Sequence, residues 1–243
     1  MSTTDTTKPI GRDIQADVIR IATAHRNQPL SETLAAVAAY FTQQVFTPDQ
    51  VRPARDAIAG MIAADVLSQI KTVGENVGNF SLPDADGRSV TLSNLLQSGP
   101  VVVVFYRGEW CPYCNLHLSR FQHHLEEFRN AGATLIAISP QTPDHSDNVQ
   151  TKNSLEYSVL SDVGSHVARQ FGVAYDEPAG MAELHNTFGV RISDFNGGDD
   201  KTLPIPATFV IDQQGKIAWV NADFDYTRRS EPLDVLAALK ELS

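Results

Sequence analysis

The chain has 243 residues, 42% of them hydrophobic, which is enough for one substantial domain with added elements or for two small domains. Its 29 acidic residues against 19 basic give a formal charge of −10, which argues against nucleic acid and membrane surfaces as partners, since both are recognised through cationic patches. No apolar run reaches the roughly 18 residues of a membrane span, and the opening "MSTTDTTKPIGRD" lacks the basic start and apolar stretch of a secretory signal.

Residues 1–71 read as a helical N-terminal extension. "SETLAAVAAYFTQQVF" opens with Ser31 as the expected N-cap and carries Leu34, Val37, Ala38, Phe41 and Val45 at i, i+3/i+4 spacing. "TPDQVRPARDAIAGMIAADVLSQI" repeats the device: Thr47 precedes Pro48 at a first-turn position, Pro53 is placed near the first turn, and Ile58, Ile62, Val66 and Ile70 form a packing stripe. Nothing in this region carries chemistry.

From Thr72 the texture changes to short apolar runs alternating with helical segments. "VVVVFY" is continuously apolar, as a strand buried on both faces is. "NLHLSRFQHHLEEFRNAG" reads as one helix ending near Gly132, and "ATLIAIS" as a second buried strand before a loop with Pro140 and Pro143. "HVARQFGV" is a short helix closed by Gly172. "ATFVID" and "KIAWVNA" are strands joined by "QQG", and "PLDVLAALKEL" is an amphipathic closing helix. This succession predicts residues 72–243 to be an α/β domain, a sheet covered by helices on both faces.

Both cysteines of the chain, Cys111 and Cys114, lie in "RGEWCPYC" between the first buried strand and the helix that Pro112 opens. Two cysteines make no disulfide framework and nothing marks export, so the expected compartment is the cytoplasm and the expected role catalytic or metal-binding. The helix N-terminus favours a thiolate; Arg107 adds to this and Glu109 opposes it. Lowering a thiol pKa from about 8.5 to about 6.5 raises the thiolate fraction at pH 7 from roughly 3% to roughly 75%. The accompanying fall in nucleophilicity leaves a gain in attack of only about threefold, so the larger benefit is to the sulfur as a leaving group. That suits a pair in which one cysteine attacks and the other resolves.

"FSLPDADGRSVTLSNLLQSGPVVVVFYRGEWCPYC", "LIAISPQ", "SVLSD", "FGV" and "PATFVID", in this order, resemble the peroxiredoxin-like branch of the alkyl hydroperoxide reductase/thiol-specific antioxidant family. The resemblance covers about 72–243 and implies a thioredoxin-like fold and antioxidant thiol chemistry. It also implies a thioredoxin- or glutathione-type reductant, a peroxide or disulfide substrate, possible homo-oligomers and no bound cofactor. Two positions depart from the family pattern. Where the family carries P-x-x-x-T-x-x-C, this chain has Arg107 at the proline, Cys111 at the threonine and Cys114 at the attacking cysteine. Where the family places an arginine before the "TFVID" strand, this chain has Pro206, as thioredoxins do, and the match implies a cis bond facing the disulfide. Supporting places around the pair go to Arg107, Trp110, Pro112, Pro206 and Thr208, with Trp110 as a shield.

Disulfide exchange with Cys111 attacking and Cys114 resolving is therefore the leading expectation. Peroxide reduction with the roles reversed is the alternative, and it gains if Arg107 points at Cys114. A non-catalytic redox sensor, whose helical extension recruits a partner, is the reading from another class. A zinc site drawing on His117, His123 or His124 is the non-redox rival, but the chain has no second C-x-x-C to close it, and the histidines are expected on a solvated helix face. No metal is expected. The charged turn "DFDYTRRSEP" and His185 receive no role.

Overall fold

The computed structural model describes residues 13–242. Its centre is a five-stranded mixed sheet of order β5-β4-β3-β8-β9. Strands β3 (Val101–Phe105), β4 (Thr134–Ser139) and β5 (Ser158–Ser161) run parallel, β8 (Ala207–Ile211) pairs antiparallel with β3, and β9 (Ile217–Ala222) pairs antiparallel with β8 and so runs in the direction of β3. Two small ribbons flank this sheet, β1 (Ser81–Pro83) with β2 (Ser89–Thr91), and β6 (Ala174–Asp176) with β7 (Thr202–Pro204).

The apolar run at β3 has two destinations because side chains alternate across a strand. Val102 and Val104 face a core formed with α2 (Leu30–Tyr40), α5 (Pro112–His123) and α11 (Pro232–Lys240). Val101, Val103 and Phe105 face a second core, in which Phe105, Phe171 and Phe209 meet edge to face beside α8 (His166–Gln170). Every residue of β3 is buried, as its composition predicts. The remaining helices are α1 (Ile14–Ala24), α3 (Pro48–Ala63), α4 (Leu92–Leu95), α6 (Leu125–Asn130), α7 (Pro143–Lys152), α9 (Ala179–Asn186) and α10 (Ile192–Asn196).

The N-terminal helices differ from expectation in detail. Ser31 is not the N-cap of α2: Leu30 is already helical, Pro29 holds the cap position and no side chain of that turn caps it. The carboxylate of Glu231 does so from the other end of the chain, accepting from the N–H groups of Leu30 (3.0 Å) and Ser31 (2.8 Å). A single π-helical turn, Phe41–Val45, follows α2, and Thr47 and Gln50 form a capping box at α3. The expected stripe does not continue through α3, which ends at Ala63, and Ile62 is exposed. Pro53 lies in the second helical turn, not the first, and its carbonyl faces Gly180 of α9 so closely that a Cβ there would be 2.2 Å away.

The predicted helix after Cys114 divides at His124 into α5 and α6. The segment after Pro143, read as loop, is α7. Gly172 ends α8 at φ +73°, and the carbonyl of Gln69 leaves no room there for a side chain.

Candidate thiol active site

Strand β3 hands over to α5 through residues 106–110. Tyr106 N–H still bonds the carbonyl of Ile138 (3.0 Å), so the chain leaves the sheet only at Arg107. Cys111 is the N-cap residue of α5, Pro112 its first residue, and Cys114 stands one turn in. Both thiols are free and buried.

Donors converge on Cys114. Its Sγ accepts the backbone N–H of Arg107 at 3.4 Å and the Arg229 guanidinium at 3.5 Å. Burial opposes a charge on this sulfur. The hydrogen bond from the Cys111 thiol, the charges of Arg229 and Arg107 and the Arg107 N–H outweigh it, and hold Cys114 well below the usual thiol range. Burial pushes the Cys111 thiol up, and its bond to the neighbouring sulfur pushes it further. The negative charge of the pair belongs to Cys114, with Cys111 as its proton-bearing donor. This is the reverse of the polarity expected from the thioredoxin-like "WCPYC".

The Arg107 guanidinium is fully buried between two aromatic faces, 4.7 Å from the Trp110 ring centroid and 4.4 Å from that of Tyr226. Its Nη2 donates to His185 Nε2 at 2.7 Å, and a guanidinium can only donate, so the ring proton of His185 sits on Nδ1 against the Glu177 carboxylate. Burial, reinforced by the Arg107 charge, lowers the His185 pKa against the pull of Glu177, which keeps the ring neutral and accepting. Trp110 closes the assembly with its ring 4.7 Å from that of His185. It is half-buried. An aromatic path runs outward from Tyr226 to Tyr113 (5.6 Å) and on to Phe41 of the π-helical turn (6.1 Å), so the N-terminal region reaches the site's rim.

Beneath the pair, His117 Nε2 lies 3.2 Å from the Ser230 hydroxyl, which donates to Thr208 Oγ1 at 2.8 Å. His117 is therefore not on a solvated face; burial, aided by Arg229, holds its pKa well below the usual imidazole value. His123 is exposed, and among the described residues no three His, Cys, Asp or Glu groups are arranged to hold a metal ion. Pro206 is also placed differently from expectation, since none of the described peptide bonds is cis. The Pro206 carbonyl accepts from the Asp223 N–H (3.3 Å). The missing N–H falls just before the strand, where no ladder bond is lost.

Of the residues expected here, Cys111, Cys114, Arg107, Trp110 and Pro112 form one cluster, and Thr208 joins it from below through Ser230. Arg229, Tyr226, His185 and Glu177 were missed. The contacts of Arg229 and His185 span 115 and 78 residues, and no local pattern marks them.

A depressed thiol at the start of the helix that follows the central strand, with a second thiol one turn away, defines a peroxiredoxin-like thiol enzyme on a thioredoxin-like fold. The chain matches the AhpC/TSA family over residues 73–220 and belongs to it. Peroxiredoxin Q, chloroplastic, of Oryza sativa subsp. japonica is 32% identical over 168 residues, 68% of this chain and 67% of its own length. Peroxiredoxin Bcp of Escherichia coli (strain K12) is 31% identical over 168 residues, 69% of this chain and 95% of its own. The crystal structure of peroxidoxin BcpB from Mycobacterium tuberculosis aligns with a TM-score of 0.55 at 28% identity, covering 70% of this chain and 97% of that one.

Proposed function

We propose that the protein reduces hydroperoxides with Cys114 as the attacking sulfur, Cys111 as the resolving one and a thioredoxin-type dithiol as the electron source. The observation that carries this reading is the set of donors on Cys114: the Arg107 backbone N–H, the Arg229 guanidinium and the Cys111 thiol stabilise a thiolate there, while the Arg107 guanidinium adds its charge from its place beside His185. The relatives named peroxiredoxin point the same way.

The chemistry follows from the geometry. The Cys114 thiolate attacks the terminal peroxide oxygen and the O–O bond breaks. The alkoxide or hydroxide leaves against the Arg229 and Arg107 charges and takes its proton from solvent. Cys114 is left as a sulfenic acid. The Cys111 sulfur then attacks the Cys114 sulfur, water departs with the Cys111 proton, and the Cys111–Cys114 disulfide forms. An external dithiol returns both to thiols. Arg107 and Arg229 thus serve in place of the threonine and the arginine that the sequence lacks. Disulfide exchange led by Cys111 is not carried forward, because burial and the bond to the neighbouring sulfur keep the Cys111 thiol protonated while Cys114 carries the charge.

The test is rapid-mixing oxidation of the fully reduced protein by hydrogen peroxide, followed by tryptophan fluorescence. Fast oxidation is expected to survive Cys111→Ser and to vanish in Cys114→Ser, and both variants are expected to lose steady-state turnover with thioredoxin. Fast oxidation that depends on Cys111 alone overturns the assignment.

A further inference from the structure

Three consecutive residues, Arg229, Ser230 and Glu231, tie three parts of the molecule together. Arg229 reaches Cys114 Sγ at 3.5 Å. The Ser230 hydroxyl links His117 of α5 with Thr208 of β8. Glu231 places one carboxylate oxygen on the N–H of Leu30 (3.0 Å) and the other on that of Ser31 (2.8 Å). This last bond reaches α2, which lies outside the stretch matched by the family, 73–220.

The tie is favourable from both sides. The first turn of α2 has unpaired N–H groups and no side-chain cap of its own, because Pro29 stands at its N-cap. A carboxylate there makes two charge-assisted bonds and meets the positive end of the helix dipole. Arg229 has the complementary need. Among the described residues no carboxylate forms an ion pair with it; its other bond is to the carbonyl of Arg228 (2.8 Å). Its reach to Cys114 is therefore set by where its backbone is held. The anchor at Glu231 is two residues away, within about 7 Å of chain.

We infer that Glu231 is a positioning residue: by clasping the N-terminus of α2 it fixes the segment that presents Arg229 to the Cys114 sulfur. The helical N-terminal region then acts on the reaction at a distance, through this carboxylate. The inference rests on the reading of Cys114 as the reacting thiolate.

Thiolate absorbance near 240 nm, titrated in full-length protein carrying Cys111→Ser, tests it, since Cys114 is then the chain's only thiol. In this parent the midpoint is expected below the ordinary value of about 8.5, and Arg229→Gln is expected to raise it. Glu231→Ala is expected to raise it by about one unit, a tenfold loss of thiolate on the acidic side, with a matching fall in the peroxide rate. Glu231→Gln, which keeps one acceptor oxygen, is expected to move it less in the same direction and serves if the alanine variant does not fold.

Pro29→Asp added to Glu231→Ala separates positioning from mere helix capping. It gives α2 a local cap and is expected to recover thermal stability while leaving the midpoint raised. An unchanged midpoint in the folded Glu231 variants, or one restored by Pro29→Asp, overturns the inference and leaves the Cys114 reading intact. A parent that titrates near 8.5, or one that ignores Arg229→Gln, overturns the reading itself and the inference with it.

Discussion

At Cys114, two cationic side chains and one thiol compete with desolvation, and the charges win. Arg229 is the nearer guanidinium and the one with a direct contact. Replacing it by glutamine removes a charge 3.5 Å from the sulfur, and an opposite charge at such range shifts a pKa by about one to three units. Arg229→Gln is therefore expected to slow peroxide reduction at pH 6 at least tenfold, with the deficit shrinking as pH rises and thiolate forms unaided; Arg229→Lys is expected to recover part of it. Stopped-flow rates from pH 5.5 to 9 check this, and an unchanged pH profile counts against it. The pair itself and Arg107 were legible in "RGEWCPYC". The polarity of the pair was not, because it depends on Arg229, which arrives from a turn 115 residues away whose local composition marks only a charged loop.

Among the elements, α3 and α9 approach closely at Gly180. Pro53 cannot donate a backbone bond, and its carbonyl lies where a side chain at Gly180 would be. Ala54, Met181 and Leu184 fill the same contact, and α9 carries His185 to Arg107. Gly180→Ala is expected to force the helices apart, with a loss of about 1–3 kcal/mol in denaturant unfolding. Because α9 moves, the variant is also expected to lose peroxidase activity; full activity together with wild-type stability is the opposing result. Element legibility followed burial pattern. Strand β3 and the start of α5 at Pro112 were plain because continuous apolarity and an N1 proline are local signals. Helix α7 was read as loop because only Ser146 and Val149 of its ten residues are buried, which leaves no stripe to see. Ser31 was read as a cap because nothing near it in sequence discloses Glu231.

For the molecule as a whole, two neutral imidazoles are built into the interior. His117 and His185 have pKa values lowered in the folded state, chiefly by burial. An unfolded histidine takes up a proton near pH 6.5 that these positions resist, so the unfolded state binds more protons below that pH. Their contribution to stability is thus complete above about pH 6.5 and is lost as pH falls towards the folded values, at up to about 1.4 kcal/mol per pH unit for each ring. Urea unfolding at pH 7.5 and 5.5 is expected to show this loss, and His185→Gln, which keeps an acceptor for Arg107, is expected to reduce it; equal slopes in the two proteins count against the assignment. The pairing of the two sulfurs has a different kind of consequence. A sulfenic acid at Cys114 has its captor one helical turn away on the same rigid element, with no rearrangement between secondary structures required. A second peroxide molecule, which alone would carry the sulfur on to an irreversible sulfinic acid, must arrive by diffusion and compete with an intramolecular partner already in place. On the mechanism proposed above, this arrangement guards the enzyme against overoxidation by surplus peroxide.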